Sequence, residues 1–356
     1  MRLLYDYQIF SSFQYSGISR YFCELFREFD VADVPWQVAC YFSNNVFLKA
    51  LRPIPGFFPN WEFRGKNRFL EALNGHASHQ ALRKRDFDVF HSTYSKPYRR
   101  ELLHDKPYVI TVHDMTHEKF PQLPSARREA AEEADSIRLA DHIVTPSVAT
   151  RTDLVALYPE AERKVSVIYH GFRRPSRTGP PPLLHRPYVL YVGTRKFYRD
   201  FPTAATAVAR IPGLGLLCVG GGAFDLHERR LFHRIGLEYR VFHAVLDESA
   251  LFSAYAGAAA LVFPSLAEGF GLPIIEAQSM GCVPVLSDIP CFREIAGAGA
   301  LYFSPGNVDE CRSALEELAS NRRLKERLVR NAAAGLDRFD WGLSAKRHLA
   351  LYASLI

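Results

Sequence analysis

Short apolar runs recur along this chain, separated by stretches whose apolar residues fall every three or four positions. The runs Arg2–Tyr5, Trp36–Tyr41, Val89–His91, Tyr108–Val112, His142–Thr145 and Val165–Ile168 predict strands. Segments such as Ile18–Phe29 and Arg127–Leu139 predict helices between them. Arg173–Pro182 breaks the pattern: it is too rich in proline and glycine for a helix or a central strand, and reads as a linker. The alternation restarts at Tyr188–Gly193, with further strands over Leu214–Val219, Arg240–Phe242, Ala260–Phe263, Val283–Leu286 and Ala300–Phe303. Helices are expected over Phe201–Ala209, Ser249–Ala256, Pro273–Met280 and Val308–Ala319. Strands alternating with helices predict parallel sheets flanked by helices, hence an α/β fold. Two doubly wound domains are expected, over 1–175 and 183–340, with a hinge near 172–187. Ligands in such folds bind at the C-terminal ends of strands, so the domains should face each other across a cleft. The last segment, 341–356, reads as a helix able to pack back on the first domain.

A chain of 356 residues can hold two cores. Its 48% hydrophobic and 23% charged content is that of a globular protein in water. No apolar run reaches the roughly 18 residues that a spanning helix needs. The N-terminal Met1–Asp6 reads as a first core strand and not as a signal peptide. The six cysteines are scattered without a CxxC pair, which argues against zinc or disulfide frameworks and makes a reducing cytoplasm the default. The formal charge of +6 is modest. Basic clusters such as Arg83-Lys84-Arg85 come without a nucleic-acid reading module, so no nucleic-acid partner is expected.

Candidate chemistry concentrates in Pro264–Ala277: a buried strand, a turn bearing Gly269 and Gly271, then a helix with Pro273 in its first turn. Backbone N–H groups at that helix start favour an anionic ligand, and the glycines let the backbone approach it. Glu268 on the turn and Glu276 in the helix bracket the segment. Carboxylates beside an anion site need donors of their own, and sugar hydroxyls would supply them.

This segment joins others along the whole chain: Tyr5-Asp6, Ser16-Gly17-Ile18-Ser19-Arg20-Tyr21-Phe22, Thr111-Val112-His113-Asp114, Ala140–Ser147, Val167–Gly171 and Tyr191-Val192-Gly193-Thr194-Arg195. In that order they resemble the retaining glycosyltransferases of family 4, and within them the bacterial mannosyl- and rhamnosyltransferases of surface polysaccharide assembly. The resemblance implies the GT-B fold, two Rossmann-like domains with the active site between them. It implies that Glu276 binds the ribose of a nucleotide diphosphate sugar and Glu268 the transferred sugar. The backbone of Gly269, Phe270, Gly271 and Leu272 would meet sugar and distal phosphate. Arg195 and Arg199 would grip the diphosphate; Arg199 stands where the family has lysine, and Lys196 is a rival. In the first domain, Ser16-Gly17 takes the place of a glycine pair facing donor phosphates or acceptor. His113 would meet the sugar, and Arg20 and Asp114 are acceptor-side candidates.

The implied reaction moves a hexose, mannose or rhamnose, to a hydroxyl of a growing, lipid-linked glycan, with GDP-sugar the favoured donor. Attack would come on the front face, without cofactor or metal, since protein cations and a helix N-terminus stabilise the leaving diphosphate. Asp86-Phe87-Asp88 is a DxD outside its usual fold context, and His113–Glu118 offers metal-capable groups; neither is expected to hold a metal. Gly220-Gly221-Gly222 departs from a dinucleotide fingerprint. No serine-nucleophile elbow occurs. A different class of reading is an inactive relative that binds carbohydrate as a scaffold. Phe57, Phe58, Trp61 and Phe63, interleaved with Arg52, Arg64, Lys66 and Arg68, suit peripheral contact with an anionic membrane, at the inner face of the cell membrane.

Overall fold

The computed structural model describes residues 1–61, 63–174 and 186–356. It divides into two compact units, Met1–Gly171 with Asp340–Ile356, and Phe172–Phe339. Most of the expected linker, 175–185, lies outside the described residues. The described chain leaves the first unit after Gly171 and re-enters it at Asp340.

Among the described residues each unit is built on one six-stranded parallel sheet. The first holds β1 (Leu3–Tyr5), β2 (Trp36–Val38), β3 (Val89–Ser92), β4 (Tyr108–Thr111), β5 (His142–Thr145) and β6 (Val165–Val167), in the order β2-β1-β3-β4-β5-β6. The second holds β7 (Tyr188–Val192), β8 (Gly215–Val219), β9 (Val241–Ala244), β10 (Ala260–Phe263), β11 (Pro284–Ser287) and β12 (Leu301–Phe303), in the order β12-β11-β10-β7-β8-β9. β3, β4, β8, β10 and β11 are buried along their whole length. Strands covered by helices on both faces read as continuous apolar runs, which is why the sequence marks them so clearly. Phe90, Tyr108, Ile110 and Ile143 centre one core, and Tyr191, Phe201, Leu216 and Val262 the other. In each sheet the winding direction reverses once, between β1 and β3 and between β7 and β10. Such reversals leave a crevice at the strands' C-terminal ends.

Some elements depart from the sequence pattern. The strand expected over Trp36–Tyr41 stops at Val38. Asn74 explains the end, because its Oδ1 accepts from the N–H groups of Tyr41 and Phe42. Asn74 lies in the helix Lys66–Lys84, which the apolar pattern does not mark. Its buried residues include Lys66, Asn74 and Ser78, so its inward face is partly polar.

The helix Trp341–Leu355 belongs to the first unit, where it packs on the helix Gly17–Val31. Asp340 caps it, accepting from the Leu343 N–H at 2.8 Å. Gly171 lies so close that a Cβ there would sit 2.3 Å from the Trp341 nitrogen. Among the described residues no helix is long and apolar enough to cross a membrane.

Candidate active site

In the second unit the expected residues gather at the C-terminal ends of β7 and β10, the neighbouring strands at the winding reversal. β10 leads through Glu268–Gly271 into the helix Leu272–Ser279. Gly271 is the N-cap, with φ +91°; Pro273 in the first turn has no N–H to satisfy, and the Ile274 N–H donates to the Gly271 carbonyl at 2.9 Å. A Cβ at Gly271 would lie 2.9 Å from Ile274 Cδ1, so position and conformation both call for glycine. Phe270 is buried against Phe339, with ring centroids 5.6 Å apart, and its carbonyl accepts from Cys291.

β7 leads into a 3₁₀ turn, Phe197–Arg199. The Leu266 N–H donates to the Tyr198 carbonyl at 2.8 Å and ties the two exit loops together. Arg199 and Glu268 form an ion pair there. The guanidinium lies 5.3 Å from the Phe263 ring centroid. Its Nε–H is buried and has no hydrogen-bond partner among the described residues. Glu268 also accepts from Ser265 Oγ at 3.4 Å.

Glu276 is only 2% exposed, so it is not a solvated helical residue. Tyr255, itself fully buried, donates to Glu276 Oε2 at 3.0 Å.

Arg195 has a different set of partners. Its side chain is 4% exposed and paired with Glu228. Nη1 donates to the Gly220 carbonyl at 3.0 Å and Nη2 to that of Gly222 at 2.8 Å. The guanidinium is thus met by a carboxylate and by backbone carbonyls. It staples the glycine loop that follows β8. Gly221, at φ +73°, has no room for a side chain: a Cβ would lie 2.7 Å from Arg195 Nη1. Glu228 also closes the capping box of the helix Leu226–Ile235, accepting from the Asp225 N–H at 2.8 Å. Lys196 is exposed.

The first-unit candidates lie after β1 and β4. Ser16 and Gly17 open the helix Gly17–Val31. A helical turn, Gln8–Ser12, separates them from β1, and Ser16 caps the helix by accepting from the Ile18 N–H at 3.1 Å. A Cβ on Gly17 would meet nothing within 4 Å, so that helix start is open. Arg20 lies in the first turn of this helix and is partly exposed. His113 follows β4; burial pushes its pKa down to about 4, so the ring is neutral at pH 7. Its Nε2 is buried without a hydrogen-bond partner among the described residues. Asp114 accepts from the Thr116 N–H at 2.8 Å, which fixes the turn after β4. His117 pairs with Glu129 at 2.9 Å, and among the described residues no group of three potential metal ligands converges. Asp86 and Asp88 both engage Arg2, pinning the start of β1.

Sequence reasoning missed Glu228 and Tyr255. Asp225-x-x-Glu228 does carry a capping-box signature, but nothing in the sequence places it against Arg195. Nothing local marks Tyr255.

An α/β chain with two such sheets, and with ionic and hydrogen-bonding groups at the strand exits, has the form of a GT-B glycosyltransferase. The chain belongs to that class: residues 15–173 match the model of Glycosyltransferase Family 4, and residues 178–334 that of Glycosyl transferases group 1. The O-antigen chain mannosyltransferase RfbU of Salmonella typhimurium is 27% identical over 187 residues, 51% of this chain and 52% of that protein. The matched stretch spans about half the length of the first curated relatives, 52% and 42%. Among solved structures, a sucrose-phosphate synthase from Thermosynechococcus elongatus superposes with a TM-score of 0.77 at 19% identity, covering 100% of this chain and 99% of that one. Anabaena Alr3699/HepE in complex with UDP-glucose does so with 0.75 at 17%, covering 99% and 100%.

Proposed function

We propose that this protein transfers a hexose, mannose or rhamnose, from a nucleotide diphosphate sugar to a hydroxyl of a growing, lipid-linked glycan, with retention at the anomeric carbon. The observation that carries the reading is Arg199. A largely buried guanidinium, whose buried Nε–H has no acceptor among the described residues, stands beside Glu268 and near the start of the helix Leu272–Ser279. A donor phosphate would supply that acceptor, and the Leu272–Ser279 helix N-terminus would share its charge. Glu268 would accept from hydroxyls of the transferred sugar and Glu276 from the ribose. His113, neutral, would offer Nε2 to a sugar hydroxyl. With charge on the departing diphosphate met by Arg199 and backbone N–H groups, the reaction needs no metal. The likeness to RfbU favours mannose, hence a GDP-sugar.

The lipid-linked acceptor calls for a place at an anionic membrane. Phe58, Trp61 and Phe63 are 47%, 64% and 38% exposed, in edge-to-face contact with one another and beside exposed Arg64 and Arg68. Aromatic rings flanked by cations suit such an interface. Sedimentation with vesicles containing anionic lipid should carry the protein down, and Trp61→Ser should weaken this.

GDP-, UDP- and dTDP-sugars are compared by thermal stabilisation, then by turnover on lipid-linked acceptors. A saturating donor at about 100 times its Kd adds about 2.7 kcal/mol to the folded state. A GDP-sugar that stabilises and is transferred with retained configuration, read by product NMR, supports the proposal. No stabilisation and no transfer would sink it; an inverted product would overturn the retaining assignment.

A further inference from the structure

Side-chain hydrogen bonds run through the interior of the first unit from β1 to the C-terminal helix. Tyr5 Oη lies 3.0 Å from Tyr352 Oη, which lies 2.7 Å from His91 Nδ1. His91 Nε2 is 2.9 Å from Thr111 Oγ1, and Thr111 Oγ1 is 3.3 Å from Tyr21 Oη. Tyr21 Oη is 2.8 Å from His348 Nε2, and His348 Nδ1 ends the run 2.8 Å from the Ser344 carbonyl oxygen. All these side chains are buried.

The last bond fixes the direction of the others. A carbonyl only accepts, so His348 Nδ1 carries a proton. Burial lowers the His348 pKa to about 4 and keeps the ring neutral, which leaves Nε2 as an acceptor. Tyr21 must then donate to it, Thr111 to Tyr21, and His91 Nε2–H to Thr111. His91 is likewise held neutral by burial, so its Nδ1 accepts from Tyr352, and Tyr352 accepts from Tyr5. Each bond then has one proton, with none left over. A run with a single permitted direction selects one arrangement of its side chains, which apolar packing of equal volume would not do.

Tyr21 connects this run to the candidate site. Its ring lies edge-on to the His113 imidazole, with centroids 5.3 Å apart. It stands near the start of the helix that Ser16 caps. Thr111 ends β4, two residues before His113. His113 also meets the Phe22 ring edge-on at 6.1 Å, so aromatic side chains of one helix hold the imidazole in place.

We infer that Tyr21 and His348 are positioning residues: through His348 the C-terminal helix fixes Tyr21, and Tyr21 orients His113 and the Ser16–Gly17 helix start. The inference rests on the transferase reading for its consequence in turnover, though not for its structural content.

The test uses the full chain with His348→Phe, Tyr21→Phe and the double variant. His348→Phe leaves the Tyr21 hydroxyl without its acceptor, so the melting midpoint falls; the double variant removes both groups and regains part of that loss. If these residues position His113, kcat falls at least tenfold in His348→Phe, donor KM stays within twofold, and kcat does not recover in the double variant. The imidazole ¹⁵N resonances of His113 shift in His348→Phe whether or not any substrate is turned over. A folded His348→Phe enzyme with wild-type kcat, or unmoved His113 resonances, overturns the inference. So does a kcat that follows the melting midpoint back up in the double variant. A wild-type protein that transfers no sugar counts against the proposed function instead, and the NMR comparison still decides the positioning.

Discussion

Arg199 and Glu268 face each other as an ion pair across the exits of β7 and β10. Glu268 holds the guanidinium in place while the Nε–H has no partner among the described residues. A site that must meet a phosphate and a sugar together gains from such a pair, because cation and carboxylate are already oriented before the donor arrives. Arg199→Ala should therefore lower kcat/KM by roughly 10²–10³-fold, the scale for losing one donor aimed at developing negative charge. Arg199→Lys keeps the charge and loses the planar fork, so it should fall in between. Steady-state kinetics with saturating acceptor check both, and unchanged turnover in Arg199→Ala would remove Arg199 from the site.

Arg195 should respond differently. Glu228 is 14% exposed, and removing its partner leaves a nearly buried carboxylate uncompensated. Arg195→Ala should destabilise the second unit by about 3 kcal/mol, the range for breaking a buried pair from one side. Replacing both partners, as in Arg195→Met with Glu228→Leu, should recover much of that stability. Thermal unfolding of the single and double variants measures this. A single variant as stable as wild type, yet with a selective loss of donor affinity, would return Arg195 to the diphosphate.

The different partners of Arg195 and Arg199 mark how far the sequence could be read. The strand–turn–helix around Gly271 was legible because local chemistry dictates it: an apolar run, a glycine for positive φ and a proline in the first helical turn. That pattern also puts Glu268 on the turn and Glu276 in the helix, as the structure has them. The partner of Arg195 was not, since Glu228 is 33 positions away and reaches it only once β7 and β8 are paired. Periodicity shows which strands are buried but not which carboxylate each of two neighbouring arginines meets. The Lys66–Lys84 helix escaped for a related reason: with polar residues among those it buries, its inward face does not stand out as an apolar stripe.

His117 and Glu129 join the turn after β4 to the helix Ala126–Leu139 and give a pH signature. Their hydrogen bond raises the His117 pKa above its ordinary 6.5 and lowers that of Glu129 to about 2. The histidine's contribution is complete below about pH 6.5 and is lost as pH rises through its raised pKa. The glutamate's is complete above its ordinary value of 4.5 and is lost as pH falls toward 2. The pair thus stabilises most between those limits. Glu129→Gln should cost about 1 kcal/mol near pH 5.5, a midpoint shift of about 2–4 °C for a unit of this size, and much less at pH 9. Equal shifts at both pH values would show that the charge on His117 is not involved.

The central claim is that the second unit holds a nucleotide sugar, with the buried Glu276 on the ribose and Tyr255 holding its carboxylate in place. Calorimetric titration of GDP-mannose into the wild type, Glu276→Gln and Tyr255→Phe tests it most directly. The wild type should bind. Tyr255→Phe loses one hydrogen bond to the carboxylate and should bind about fivefold to tenfold more weakly, the equivalent of about 1 kcal/mol. Glu276→Gln should lose more than tenfold, since a charged acceptor has been removed from ribose hydroxyls. Wild-type affinity in a folded Glu276→Gln protein would contradict the account.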